Sequence, residues 1–276
     1  MAVVGILSSP PKRPPRNSEG PLLPRLQLLR VLGAGQTMLV ADYYWLQMIQ
    51  QMGRASSAEE FRDIYPYANL TTDLDPTFSI VYWYAGASIP FNSGREHWEN
   101  AAESTAIIKK GLKRFPDDFR LNFFLAYNLQ YYDKKFHEAA QLVQWLSTQP
   151  KAPWFLKALA TRLFAQAGDF DAGVSLAEAM RDSATDEDSR KFFDLRILEI
   201  RQERLLSRVD EAGEKFQTRT GHLPSLLEEL VASGDLTVAP VDPLGGMLYL
   251  DAKGHAQSTA SKHRLQLYNH NEGDAP

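Results

Sequence analysis

The chain has 276 residues, 44% of them apolar, enough for one extended helical array or for two domains with a sizeable core. Its 30 basic and 34 acidic residues are interspersed and leave a formal charge of −4, which excludes the broad basic footprint that nucleic acid binding needs. There is no cysteine, so disulfides, thiolate catalysis and cysteine-based zinc or iron–sulfur sites are excluded as well.

Residues 1–21 contain five prolines and no apolar period, and read as a disordered Pro/Arg-rich leader. The apolar run Ala2–Leu7 is too short for a signal-peptide core or a spanning helix, and no basic segment precedes it. The expectation is a cytoplasmic protein, with an envelope-associated, periplasmic location as the alternative if a longer N-terminus precedes this one. From Leu22 an apolar-rich stretch leads to a helix over Met38–Met52, with Trp45, Ile49 and Met52 on one stripe and Gly53 as its stop. Ser57 followed by Glu60 is a capping box, opening a helix that runs to about Thr72. Asp73 and Asp75, before Pro76, suit turn capping better than cation binding. The next pair is a helix containing Tyr82-Trp83-Tyr84-Ala85-Gly86, a loop over 90–95, and a helix from about Glu96 to Arg114.

Two further helical pairs follow, Phe119–Tyr132 with Phe136–Ser147, and Pro153–Ala167 with Asp171–Arg181. They share a fixed interval. Phe136 and Phe170 are 34 residues apart, as are Pro116 and Pro150, and Lys135-Phe136-His137-Glu138-Ala139 returns as Asp169-Phe170-Asp171-Ala172-Gly173. A long helix over about Ser189–Thr218 carries Phe193, Ile197, Ile200, Leu205, Val209, Ala212 and Phe216 on one stripe, as a cap on the end of an array would.

On that 34-residue period the region 36–183 resembles the tetratricopeptide-repeat family, whose paired helices bury their apolar faces only against the next pair. Small residues fall where paired helices must touch: Gly86, Ala126 and Thr161 on the first helices, Ala101, Ala139 and Gly173 on the second. Thr161 departs from the family's usual Gly or Ala, and the pair after Pro76 carries about six extra residues. The resemblance implies a concave groove lined by the first helix of each pair. Carried over by register, Trp83, Arg120, Phe123, Tyr127, Gln130, Phe155 and Arg162 are the candidate partner-binding residues. Each aromatic among them has the alternative of packing between neighbouring pairs.

Composition changes at Gly221. A short helix over Leu223–Val231 leads to a Pro240-Val241-Asp242-Pro243-Leu244-Gly245-Gly246 turn. A β-hairpin follows, from Met247–Asp251 through Lys253-Gly254 to Ala256–Ser258. The spacing from Phe216 to Tyr249 resembles the C-terminal part of type II secretion major pseudopilins. In that family this loop region can hold calcium. Here only Asp242 and Asp251 offer hard oxygen ligands, and a Pro-Gly turn anchored by Asp242 is the alternative. Residues 262–276 read as a flexible tail.

The expected fold is therefore all-α: a tetratricopeptide-like helical-hairpin solenoid over 22–218, about four pairs plus the long capping helix, followed by a small helix and β-hairpin module over 219–261. None of the six histidines has metal spacing, and no phosphate-binding loop, nucleophile elbow or kinase set occurs. Glu96, Glu99 and Glu103 read as a solvated helix face. The expected function is noncatalytic, with no cofactor and no metal: an adaptor holding a protein or peptide in its groove, in the assembly of a bacterial envelope complex. The alternative is a structural subunit of an envelope, secretion or pilus machine that docks through its convex face or C-terminal module.

Overall fold

The computed structural model describes residues 20–94, 97–261 and 263–265. Most of the expected leader and tail, and the expected helix start at Glu96, lie outside them. The described residues are mostly helical, with two short antiparallel strand pairs among them, and the chain divides into two compact units between Arg114 and Phe115. That division falls inside the stretch expected to form one array.

The first unit holds α1 (Leu26–Leu32), α2 (Thr37–Arg54), α3 (Ala58–Arg62), α4 (Ile64–Leu74), α5 (Ser79–Ser88), β1 (Phe91–Asn92), β2 (Trp98–Glu99) and α6 (Ala101–Arg114). Helix α2 runs through Gly53, and its buried face is Ala41, Tyr44, Met48 and Gln51, one position off the expected Trp45, Ile49 and Met52 stripe. Ser57 caps α3 as expected, but Glu60 turns back to the Ser56 amide (2.7 Å), and the helix breaks at Asp63. Pro66 supplies the reason. It lacks the N–H that would bond the Arg62 carbonyl, and its ring crowds that same carbonyl.

The expected helix from Glu96 is also corrected. Gly94, at φ +106°, folds Trp98-Glu99 back onto Phe91-Asn92 as an antiparallel pair, and Asn100, at φ +65°, resets the chain before α6 begins. Glu99 is thus on a strand, and the expected helical carboxylate row does not form. Gly86 of α5 instead faces Ser104 and Ile108 of α6: Ser104 Oγ donates to the Gly86 carbonyl at 2.6 Å, and Ala101 lies at the helix start. Lys110 of α6 donates to Asn69, Thr72 and Asp73 of α4, the last at 2.6 Å. Asp73 therefore carries an interhelical ion pair, whereas Asp75 caps the turn through the Thr77 amide (2.9 Å).

The second unit holds α7 (Phe119–Tyr131), α8 (Phe136–Ser147), α9 (Phe155–Gln166), α10 (Phe170–Asp182), α11 (Glu187–Thr220), α12 (Leu227–Ala232), β3 (Leu248–Leu250) and β4 (Ala256–Ser258). Each helix from α7 to α10 packs on the next, α10 packs on α11, and α9 also touches α11. Ala126, Ala139, Val143, Leu146, Leu156, Ala160 and Leu163 form the shared core. Truncating any one of its leucines to Ala costs about 2–5 kcal/mol. Lys134 and Gly168, 34 positions apart, both sit in the left-handed region at φ +55° and +76°. The residues after them, Lys135 (−88°, 66°) and Asp169 (−88°, 67°), have the same backbone conformation and precede helices starting at Phe136 and Phe170.

Helix α11 opens on Asp186, whose side chain accepts from the Ser189 amide at 2.7 Å, and closes on Gly221 at φ +82°. Its first half packs Phe193, Ile197 and Ile200 against α9 and α10. Its second half buries Leu206, rather than the expected Leu205, with Val209, Ala212 and Phe216 against Leu230 and the hairpin. The C-terminal elements thus share one core with α11. The expected Leu223–Val231 helix is shorter, since Leu226 is extended.

A line of polar residues interrupts this core. Gln202 Nε2 donates to Asp242 Oδ1 (2.8 Å), Ser261 Oγ to Gln202 Oε1 (2.9 Å), and Arg264 binds Glu203 and Asp210. The described part of the expected flexible tail is therefore fastened to α11, and Leu265 packs beside Phe193 and Ile197. A buried carboxylate on α11 needs a cation, and Arg264 provides it.

Candidate partner-binding surface

Trp83 belongs to the first unit, half-buried on α5 with its ring edge-on to Tyr84 at 5.4 Å. The other six expected residues lie on α7 and α9 of the second unit. On α7, Phe123 stacks with Phe119 (6.4 Å, 4° between planes), meets Phe155 of α9 edge-on at 6.5 Å, and leans on the shared core. Phe123 is therefore half packing and half surface. Arg120 is exposed at the same end of the helix. One turn on, Tyr127 is 41% exposed and stacks on Tyr131 at 5.2 Å, while Tyr132 lies edge-on to both. Burial, aided by Tyr127 and Tyr131, pushes the Tyr132 phenol well above its ordinary range, so that phenol stays protonated. Gln130 is half-buried at the end of α7.

Helix α9 begins with the exposed pair Trp154 and Phe155, 74% and 43% exposed. The Trp154 ring is edge-on to Phe192 of α11 at 6.4 Å. An aromatic row thus runs from Phe119 and Phe123 through Phe155 and Trp154 to Phe192, across α7, α9 and α11. Phe192 is in the row because Phe193 takes the core position. Adjacent helical residues are 100° apart, so only one ring of a Phe-Phe pair faces inward.

Two turns into α9, Arg162 is half-buried. Its neighbour across the helix pair is Arg196 of α11, which lies over the Phe192 ring (5.4 Å) and pairs with Glu199 at 3.1 Å. Burial holds the Arg196 guanidinium below its usual range, Glu199 acts the other way, and the charge of Arg162 adds to the lowering. Sequence reading named Arg162 and passed over Arg196, Trp154 and Phe192. One signal was there: Arg162 and Arg196 are 34 residues apart, so the period continues into the long helix.

A second feature of this unit is an open apolar cleft of ≈ 610 Å³ between α12 and the 239–248 segment, lined by Leu227, Val231, Val241 and Met247 among others. Leu226, Val241 and Met247 around it are strongly exposed.

Asp242, expected as a turn anchor or a calcium ligand, accepts from Gln202, Ser258 and the Leu244 amide. Burial raises its carboxyl, but these hydrogen bonds outweigh it and hold the group below the usual carboxylate range. Asp251 accepts from the Lys253 and His255 amides at 2.9 Å each and from Gln257, which shapes the hairpin turn. Both carboxylates serve as turn anchors. Among the described residues no three His, Asp or Glu side chains converge as metal ligands, and no helix is long and apolar enough to cross a membrane.

Comparison of the chain with protein-family models, with curated proteins and with solved structures gives no match.

Proposed function

We propose that the second unit is a tetratricopeptide-like array and that the protein is a noncatalytic adaptor, binding an extended segment of a partner protein along the face built by α7, α9 and α11. The observation that carries this reading is the aromatic row from Phe123 through Phe155 to Trp154, left partly exposed on helices that bury Leu121, Ala126, Leu129, Leu156, Ala160 and Leu163. Large rings beside arginine are the composition of an interface hot spot. The repeat reading is supported by matching turns at Lys134-Lys135 and Gly168-Asp169, one period apart. The envelope context rests on the pseudopilin resemblance of residues 216–249 alone.

A peptide-array screen with the purified full chain tests the assignment. A variant combining Arg120→Ala, Trp154→Ser and Phe155→Ser should lose the peptides that the native chain binds. Retention of all of them would remove this face as the binding site.

A second reading, docking through the C-terminal module, is favoured by the exposed apolar side chains around the cleft beside α12. Under it, Val241→Ser with Met247→Ser abolishes binding and the α7/α9 variant does not.

A further inference from the structure

Helices α7 and α9 carry Arg120, Lys157 and Arg162 and no Asp or Glu. Acidic residues of this unit lie instead on α10, where Asp171 and Glu178 pair with Arg204 and Arg201 of α11, and on α11 itself, where Glu199 pairs with Arg196 and Glu203 and Asp210 with Arg264. Solvated helix faces ordinarily mix both signs, so the α7 and α9 part of this surface is selectively cationic.

Its least comfortable point is the arginine pair. Arg196, with a side chain 16% exposed, has one carboxylate, Glu199. Arg162 has no carboxylate in ion-pair reach among the described residues, and the Nε atoms of both arginines are withdrawn from water without an acceptor. Gln166, one turn after Arg162, has a buried Oε1 that also lacks a partner. A side-chain rotation joining Gln166 to Arg162 Nε would satisfy that hydrogen bond and leave the charge as it is. Two guanidinium groups against a single carboxylate keep one positive charge uncompensated at a half-buried position, which is costly until an anion arrives.

We propose that Arg162 and Arg196 receive a carboxylate side chain from an acidic segment of the partner protein, whose apolar neighbour packs on Trp154 and Phe155. This rests on the reading of the α7/α9/α11 face as the binding surface. The guanidinium fork suits carboxylate oxygens. A peptide fits better than a phosphate ion for two reasons: Glu199 repels a dianion more strongly than a monoanion, and a bare ion leaves the rings beside the pair uncovered.

The test is fluorescence anisotropy with the full chain and a labelled peptide of alternating Glu and Phe, its Gln-for-Glu counterpart, and inorganic phosphate as competitor. The Glu peptide should bind, and the Gln peptide should bind about tenfold or more weakly. Arg162→Ala and Arg196→Met should each weaken the Glu peptide about tenfold, and Lys157→Ala only about twofold. Trp154→Ser should weaken both peptides alike, and millimolar phosphate should not displace them. Equal binding of the two peptides, both lost with Trp154→Ser, would overturn the arginine inference and leave the surface assignment standing. Failure of the Glu peptide to bind, displacement by phosphate, or equal losses from Lys157→Ala and Arg162→Ala would each overturn it too. Arg196→Met keeps the apolar stem over Phe192, and circular dichroism of each variant separates misfolding from lost binding.

Discussion

Arg264 donates from Nε (3.0 Å) and Nη2 (2.6 Å) to one oxygen of Glu203, a residue 1% exposed and 61 positions earlier in the chain. The other oxygen, Oε2, accepts from the Leu265 amide (2.9 Å), and Nη1 of Arg264 reaches Asp210. A carboxylate this deep is tolerable only with its cation in place. Arg264→Ala leaves Glu203 charged and buried and should cost about 3–5 kcal/mol. Urea unfolding followed by circular dichroism reads it; an unchanged midpoint would mean the pair contributes nothing to folding.

The two matching turns differ at the helix cap. Asp169 accepts from the Ala172 amide (3.2 Å), while its counterpart Lys135 makes no side-chain cap and only an exposed pairing with Glu138 at 3.6 Å. Lys135→Asp should therefore stabilise the protein by about 1 kcal/mol. A lower melting temperature would show that the two turns are not equivalent.

Gly86 and Gly173 both sit on helices, but their surroundings differ. A Cβ on Gly86 would lie 2.5 Å from Ile108 Cγ1, whereas on Gly173 its nearest neighbour would be the Thr161 carbonyl at 3.3 Å. Gly86→Ala should cost about 1–3 kcal/mol through overpacking, and Gly173→Ala under about 1 kcal/mol, since helix propensity offsets the tighter fit. Thermal denaturation of the two variants side by side would decide; equal losses would contradict the packing.

Asp242 and Asp251 set the acid limb of stability. Burial raises both carboxyls, and the hydrogen bonds they accept lower them further than burial lifts them, so both titrate below their ordinary range when folded. The stability they contribute is complete above about pH 4, and drains as pH falls through the folded-state values, because protonation then opposes the fold. Melting temperatures between pH 7 and pH 2.5 should fall on the acid side, and Asp242→Asn should flatten that fall while lowering stability at pH 7. An acid limb with the same slope in the variant would exclude Asp242 as its source.

Arg162 should cost the unliganded protein stability. Arg162→Met keeps the stem, removes a charge with no carboxylate partner among the described residues, and should be neutral or stabilising by up to about 1 kcal/mol. A clear loss in urea midpoint would mean that Arg162 has a structural role instead.

Several elements were legible before any coordinates because their causes are local. The ends of α8 and α10, the cap at Ser57, the turn at Gly168-Asp169 and the β3–β4 hairpin follow from side chains within four or five positions of one another. On α2 and at Trp98 a neighbour outside that window decided. The stripe on α2 turned by one position because Tyr44 and Met48 meet the rest of their unit's core, and Trp98 left the helix because Gly94 folds it onto Phe91-Asn92. The break at Asp63 was local and still missed, since Pro66 was overlooked inside an otherwise regular apolar period.

The sequence by itself determined the helical pairs of the second unit, their 34-residue step and the hairpin at the end, since periodicity, caps and left-handed turns act between residues close along the chain. Only the tertiary structure decided which charges meet. Glu203 and Arg264 close a buried ion pair across 61 residues, and Arg162 and Arg196 come together as like charges. Coulomb energy and desolvation depend on distance and burial in space, so the 34-residue step puts Arg162 and Arg196 in register without fixing how closely or how deeply they are held.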